Sequence, residues 1–328
     1  MEPETTEIKI IGFLKACKKT YLSGESMANS IGVSRTAVWK HIKSLREAGY
    51  PIEGTARMGY RLLKSAKPFN AFEIALALKK QKNKTIGRKI HFLTSLDSTN
   101  TKALELAKNG APEGTVVISD SQGKGRGRLG RRWVSPSGKN LYTSIILRPP
   151  VPPEKAQTLT LLSAVAAAKT IEAFIPQKPH LKWPNDILIE GKKVCGILTE
   201  MSSETDRINH VVVGIGVNIN MDMKKAPSEI KGIATSVAQQ RGGRVSRADF
   251  AALLYSNFEK WYKKFIKEGP PPVFEAWRGY FQGEGKPIKV KGFSKSITGI
   301  CLGIDNEGAL IVREKTGNIE RVVSGDVE

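Results

Sequence analysis

The segment Gln122-Gly-Lys-Gly-Arg-Gly-Arg-Leu-Gly-Arg-Arg-Trp133 constrains this chain more than any other. Four glycines are interleaved with five cations, and the run ends on an aromatic ring. It reads as a loop between two apolar runs, Thr115–Ile118 and Leu141–Leu147, which have the character of buried strands. Glycine tolerates positive φ and has no Cβ, so backbone N–H groups can turn toward a ligand and approach it closely. Arginine adds a planar fork of donors matched to carboxylate or phosphate oxygens. A loop with both is an anion cradle, suited to a phosphate or an activated acyl group; a nucleic-acid patch is the competing reading. No Gly-Lys-Ser/Thr closes it, so it is not a Walker A loop. Nor is Gly125-x-Gly127-x-x-Gly130 a dinucleotide fingerprint, because its intervening residues are bulky and Arg132-Trp133-Val134 opens no helix.

Charge sharpens the point. The chain of 328 residues carries a net +21. Residues 65–148 hold 16 Lys/Arg against 5 Asp/Glu, while the stretches on either side are each near +5. The strongest field therefore surrounds the glycine-rich loop and would draw in an anion. A hydrophobic fraction of 40% over this length fits two or three folded domains. No apolar run reaches the roughly 20 residues of a membrane span, and the acidic start Met-Glu-Pro-Glu-Thr-Thr-Glu reads as no secretory signal. Cys17, Cys195 and Cys301 are scattered and odd in number, which argues against a disulfide framework or zinc site and for a cytoplasmic protein.

Residues 1–64 read as a separate unit. A helical pattern over Ile8–Lys18 places Ile8, Ile11 and Leu14 on one face. A helix with Met27, Ala28 and Ile31 on its inner side then turns at Gly32 into a second helix capped by Ser34 and anchored by Val38, Ile42 and Leu45. That second helix offers Arg35, Thr36, Lys40, His41 and Lys43 to phosphates and base edges. Tyr50–Glu53 and Gly59–Leu63 look like a β-hairpin wing. A helical hairpin at a protein interface is the plainer alternative, but turn, cap and basic face together favour a winged helix-turn-helix.

Lys64–Phe69 reads as a linker and Ala71–Lys80 as a short connecting helix, so that 65–86 joins the first unit to the next. From residue 87 strands and helices alternate through 272. Thr101–Asn109 is a helix stopped by Asn109-Gly110, and Thr158–Phe174 an almost wholly apolar, buried helix. Ile187–Ile189, Val194–Thr199 and His210–Ile219 read as strands. Phe250, Leu254, Trp261 and Phe265 form a core stripe on one helix, and Gly269-Pro-Pro-Pro is a stiff break. Over 280–328 short strands (Ile288–Val290, Ile297–Leu302, Ala309–Val312, Ile319–Val323) alternate with glycine turns, the pattern of a small β-barrel.

Three further clusters carry chemistry in the central region. Asp97-Ser-Thr-Asn100 precedes a helix and reads either as plain N-capping or as a set of polar groups for a ligand head. Lys182-Trp-Pro-Asn-Asp186 offers a lysine point charge and an aspartate able to meet Mg²⁺, with Trp-Pro holding the backbone extended; a surface Asx turn is the alternative. Gly214-Ile-Gly-Val-Asn218 closes a strand with glycines that permit close approach. His41, His91, His180 and His210 lack the context of a hydrolytic triad.

The ordered set of Asp97–Asn100, Gln122–Trp133, Lys182–Asp186, Lys193-Val-Cys-Gly-Ile-Leu198, Gly214–Asn218 and Gly303-Ile-Asp-x-x-Gly-Ala-Leu310 behind a winged helix resembles the bifunctional biotin–protein ligases that double as biotin operon repressors. The resemblance spans essentially the whole chain. It implies an α+β protein: an N-terminal winged helix-turn-helix, a central mixed α/β ligase domain with a sheet flanked by helices (87–272), and a small C-terminal SH3-like β-barrel. The implied activity joins biotin to ATP and passes biotin from biotinyl-5'-AMP to a lysine of a biotin carboxyl carrier protein, such as that of acetyl-CoA carboxylase. By the same resemblance Ser98, Thr99, Asn100, Gln122, Arg126, Gly127, Arg128, Lys193 and Gly196 contact biotin. Lys182, with Arg126 and Arg128, serves catalysis. Arg128, Arg131, Trp133, Asn185, Asp186 and Asn218 face the nucleotide, whose phosphates carry Mg²⁺. Ser34, Arg35, Thr36, Lys40, His41 and Lys43 face operator DNA, and the adenylate acts as co-repressor of a homodimer. A lipoate–protein ligase shares this core architecture but characteristically lacks the arginine loop and the DNA-binding unit. A ligand-sensing regulator that no longer turns over is an alternative of another class, and a plain nucleic-acid binder a third.

Overall fold

Two serines and a glycine organise the first unit. Ser23 and Ser34 lie in extended backbone and accept the N–H groups of Glu25 and Ala37, while Gly32 takes φ 81° between them. The capped ends and the left-handed stop produce two helices across a tight turn. The computed structural model describes residues 5–17, 20–63, 67–292 and 296–327. In chain order the first unit has α1 (Thr6–Ala16), α2 (Gly24–Ile31), α3 (Arg35–Glu47) and the antiparallel hairpin β1 (Ile52–Thr55) and β2 (Gly59–Leu62). Ile10, Ile11 and Leu14 meet Met27, Ala28, Val38, Ile42 and Leu45 in one core, so the winged helix-turn-helix is as expected. The first helix differs in detail: Ile10 takes the core position assigned to Ile8, which is half-buried, and Lys18 lies outside the described residues.

The connecting helix is no connector. Its residues form α4 (Ala71–Gln81), with Phe72 and Leu76 packed on the first core. Asn70 caps it through the Glu73 N–H and donates to the Ala48 carbonyl. Glu73, almost wholly buried, accepts from Tyr50 at 2.9 Å and pairs with Lys15. A buried carboxylate is tolerable only when so paired. The first compact unit accordingly runs to Lys82 and the second from Asn83; residues 64–66 of the expected linker lie outside the described residues.

The second unit holds β3 (Ile90–Leu96), α5 (Thr99–Lys108), β4 (Val116–Gln122), β5 (Leu141–Leu147), α6 (Gln157–Glu172), β6 (His180–Lys182), β7 (Asp186–Ile189), β8 (Lys192–Ser203) and β9 (Ile208–Val217). Its seven strands are ordered β3-β4-β5-β9-β8-β7-β6, with β3 parallel to β4 and every other pair antiparallel. Then come α7 (Val237–Arg241), α8 (Arg247–Glu268) and α9 (Pro271–Arg278). Adjacent residues of β5 show how the sheet is covered: Thr143 bonds Tyr255 of α8 at 2.7 Å, while Ser144 bonds Thr99 and Asn100 of α5. Successive side chains of a strand point to opposite faces, so α8 and α5 cover opposite sides. On the α5 side Ala103 and Ala107 pack on Val117, Ile146 and Val212. The stripe Phe250, Leu254, Trp261 and Phe265 is core, as read.

Three local readings need correction. Thr99 and Asn100 lie inside the first turn of α5, which begins two residues earlier than the pattern indicated. Trp183, Pro184 and Asn185 form the turn between β6 and β7 and are not the extended element expected. The proline run breaks α8, but Pro271 and Pro272 then open α9, where a missing N–H costs nothing.

The C-terminal strands β10 (Pro287–Lys291), β11 (Ser296–Ile304), β12 (Leu310–Glu314), β13 (Ile319–Val322) and β14 (Asp326–Val327) form an antiparallel sheet ordered β13-β12-β11-β10-β14. The small all-β unit is present, and no hydrogen-bonded ladder joins its end strands among the described residues. It sits against the larger sheet's helices: a Cβ on Gly308 would lie 2.8 Å from Leu161, and buried Trp183 donates to the Gly308 carbonyl at 3.1 Å.

The entry to the second unit rests on Glu259 of α8, which is 5% exposed. It accepts the N–H groups of Lys84, Thr85 and Ile86 at 2.8–3.1 Å and pairs with Lys263. Burial pushes its pKa up, but the Lys263 bond and the three N–H donors outweigh burial and hold it below the ordinary value. A depressed carboxyl contributes stability that is full above the unfolded value, about pH 4.3, and is lost as pH falls through the folded one. Glu259→Ala strands three donors and is expected to cost about 3 kcal/mol, read as a fall of several degrees in Tm at pH 7. Glu259→Gln should flatten the acid limb of the stability curve; an unchanged limb and an unchanged Tm would contradict this role.

Candidate active site

The glycine-rich loop folds upon itself. Past β4 an isolated bridge pairs Arg126 with Arg132, the Gly127 N–H donates to the Arg131 carbonyl at 2.7 Å, and the Trp133 N–H donates to Gly125 at 2.9 Å. A Cβ on Gly125 would meet the Trp133 carbonyl oxygen at 2.4 Å, so that glycine serves the loop's own packing. The Gly127 N–H is spent inside the loop and not aimed at a ligand, contrary to the simple cradle picture. What the tight turn does is project arginines. Arg126 grips Glu200 with both terminal nitrogens, at 2.7 and 3.2 Å. Arg128 meets Asp326 at 3.3 Å, Asn185 at 3.3 Å and the Gly325 carbonyl at 3.2 Å, and Arg131 pairs with the same Asp326. Burial lowers the Arg128 pKa below the usual guanidinium range, while Asp326 and Asp186 act to raise it.

Beside the loop, the start of α5 is tied down by hydrogen bonds. Gln122 accepts from the Thr99 N–H at 2.8 Å and donates to Ser135 at 2.9 Å. Asn100 donates to the Leu198 carbonyl and to Glu200, and its oxygen accepts from Ser144 at 2.6 Å. Both Asn100 donors are thus engaged within the protein. Gly214 makes the room: a Cβ there would stand 2.1 Å from the Asn100 oxygen. Ser98 occupies the N-cap position without a side-chain cap bond, so simple capping does not account for this cluster.

The third wall comes from β6 to β9. Asn185 donates to the Ile197 carbonyl at 2.8 Å, and Lys193 pairs with Asp186 at 2.7 Å. The Trp133 ring lies on backbone bared by two glycines: a Cβ on Gly216 or Gly196 would stand 2.6 or 2.8 Å from ring atoms. Lys193 Nζ sits 5.4 Å from the ring centroid, and the buried indole N–H has no partner among the described residues.

These walls enclose a cavity of about 570 Å³. Its lining includes Ser98, Thr99, Asn100 and Gln122 on one side; Arg126, Gly127, Arg128, Arg131 and Trp133 from the loop; and Lys182, Asn185, Asp186, Lys193, Gly196 and Asn218 opposite. Every residue read from the sequence as a biotin, nucleotide or catalytic contact is therefore brought to one space. Most of its cations are neutralised by carboxylates. Among the described residues, Lys182 alone of the lining lysines and arginines makes no side-chain hydrogen bond or ion pair. Glu200 and Asp326 were not singled out from the sequence. The alternation Gly196, Leu198, Glu200 along β8 could have flagged the first, since Gly196 and Leu198 line the cavity.

The residues read as DNA contacts lie apart, in the first unit. Arg35, Thr36, Lys40 and Lys43 are exposed on α3. Ser34 is occupied as the cap. His41 is not on that free face: its Nδ1 meets Glu7 at 2.8 Å and the ring is half-buried. Trp39, 52% exposed on the same helix, was not singled out from the sequence.

Comparison with known proteins places these features. Residues 92–218 match the biotin/lipoate A/B protein ligase family, 6–61 a helix-turn-helix domain, and 285–328 the biotin protein ligase C-terminal domain. The bifunctional ligase/repressor BirA of Bacillus subtilis is 42% identical over 308 residues, 94% of each chain. Its Escherichia coli namesake is 31% identical over 327 residues, covering 100% of this chain and 98% of its own. A biotin protein ligase of Aquifex aeolicus, solved with biotin and ATP, superposes with TM-score 0.64 at 29% identity over 74% of this chain and 98% of its own. The chain belongs to the bifunctional biotin ligase/repressor family.

Proposed function

We propose that this protein activates biotin with ATP to biotinyl-5'-AMP, releasing pyrophosphate, and transfers biotin to a lysine of a biotin carboxyl carrier protein. The observation that carries the reading is Lys182, whose side chain has no protein partner in a cavity where Arg126, Arg128 and Arg131 of the loop are held by carboxylates. In the first step a carboxylate oxygen attacks the α-phosphorus, and two anions must approach while charge builds up. A preorganised cation stabilises that charge most where water is excluded. Lys182 is assigned to the reacting carboxylate and α-phosphate, with Arg128 beside it. Ser98, Thr99 and Gln122 lie toward the biotin head, and Asn185, Asp186 and Asn218 toward the nucleotide. In the second step the carrier's amine attacks the acyl carbon and AMP leaves; Trp133, lying on Gly196 and Gly216, is placed to shield the anhydride from water.

Mg²⁺ is expected to arrive on the ATP phosphates. The described residues contain no group of three His, Cys, Asp or Glu side chains able to hold a metal, and Asp186 is already paired with Lys193. No step here is assigned to a metal held by protein alone.

The test is to incubate the protein with biotin, Mg-ATP and a carrier domain and to measure the carrier's mass, with lipoate in a parallel arm. A biotin increment is expected and a lipoate increment is not; lipoate alone would select the sister activity. Lys182→Ala should reduce pyrophosphate exchange by about a hundredfold or more while biotin affinity changes by only a few-fold. Exchange near the wild-type rate would remove Lys182 from its role.

The exposed basic face of α3 favours a second, compatible role as a biotin-responsive repressor. The adenylate-bound protein dimerises in this reading and seats two winged helices on a palindromic operator, the coupling being a difference in dimer affinity between liganded and empty states. Both roles are assigned to the cytoplasm; among the described residues no helix is long and apolar enough to cross a membrane. Replacing Lys40 and Lys43 by Ala removes two phosphate contacts from each protomer and should lower the salt slope of operator binding by the dimer by about four. Gel shifts indifferent to biotin plus ATP would rule out the co-repressor.

A further inference from the structure

Glu200, at the far end of β8, faces two groups from different elements. Its carboxylate takes both terminal nitrogens of Arg126, at 2.7 and 3.2 Å, and one amide hydrogen of Asn100 at 2.8 Å. Asn100 is itself immobilised: it is 3% exposed, its other donor goes to Leu198, and its oxygen is held by Ser144 and accommodated by Gly214. The Ser144 hydroxyl oxygen also lies 2.8 Å from that of Thr99, whose N–H is bonded to Gln122. A continuous set of hydrogen bonds thus runs from Gln122 through Thr99, Ser144, Asn100 and Glu200 to Arg126. Glu200 is absent from the cavity lining and Arg126 is part of it.

From this geometry we infer that Glu200 is a positioning residue for the ligase reaction, acting through Arg126; this rests on the biotin-activating reading above. A guanidinium has five N–H donors, and Glu200 uses two, leaving three for a ligand carboxylate or phosphate. A loop arginine in water would otherwise sample many rotamers and lose that freedom on binding. The bidentate grip fixes it beforehand and ties its position to the same network that sets Thr99 and Gln122 at the head of the cavity. With side-chain exposures of 45% for Arg126 and 23% for Glu200, the pair contributes little to fold stability. Its importance lies in alignment.

The experiment is a double-mutant cycle on the full-length protein, reading biotin KM and kcat for transfer to a carrier domain alongside Tm. Glu200→Ala should raise biotin KM about tenfold or more, with a smaller effect on kcat and Tm close to wild type. Arg126→Ala should do the same, and the double variant should be no worse than Arg126→Ala alone. Glu200→Asp, which keeps the charge, should recover part of the loss. Multiplying effects, or a Glu200→Ala enzyme equal to an active wild type, would overturn the inference. If Glu200→Ala does not fold, Glu200→Gln, which keeps the size and an acceptor for Asn100, replaces it in the cycle under the same criteria. Wild-type protein that transfers no biotin at all would instead overturn the underlying reading, so the two failures are distinguishable.

Discussion

Neutralisation of like charges by carboxylates is the constraint on which this site depends. Arg126, Arg128, Arg131, Lys182 and Lys193 line one cavity of about 570 Å³, and left alone they would repel one another and the fold that gathers them. Glu200 answers Arg126, Asp326 answers Arg128 and Arg131, and Asp186 answers Lys193. Each acid comes from a different strand, so the charges are held only when β7, β8 and β14 are in register with the loop. The arrangement also joins the C-terminal sheet to the site: Asp326 belongs to β14, and the sheet is seated by the Trp183 bond to Gly308, one residue from Lys182.

Small residues complete the arrangement by letting large ones in. Gly196 and Gly216 face each other across β8 and β9 in register, and the Trp133 ring rests on both. Gly214, two residues along the same face of β9, admits the Asn100 amide. The motif Gly214-Ile-Gly-Val-Asn218 therefore encodes two clearances at the strand period, one for the hydrogen-bond network and one for the aromatic ring.

Much of this was legible in the chain because it is local. The Ser34 cap and the Gly32 turn dictate the helix-turn-helix from a few neighbouring residues, and the period-2 and helical patterns located most strands and helices, though not β3, β6, β14, α7 or α9. Ordered motifs also led to the cavity lining, down to Asn218. What was not legible depended on distant partners. His41 looked like a DNA contact until Glu7, 34 residues away, claimed its ring. The helix expected over 71–80 looked like a connector to the next domain, yet its Glu73 pairs with Tyr50 and Lys15 of the first unit, 23 and 58 residues away. Glu200 and Asp326 carry no motif, and only strand pairing and the fold of the C-terminal sheet bring them to the arginines.

The same reasoning changes what the glycine-rich loop means. A cradle of backbone donors would leave its N–H groups pointing into the cavity, but Gly127 and Trp133 spend theirs closing the loop on Arg131 and Gly125. The guanidinium groups of Arg126, Arg128 and Arg131 are meanwhile balanced by acids of the protein. An incoming carboxylate or phosphate must then either take the remaining guanidinium donors or displace an acid. Arg126 has three such donors beyond its bidentate pair. Lys182 needs no displacement at all. The cavity is thus graded: one cation without a protein partner at the far wall, and tethered arginines around it that orient an anion more than they attract it.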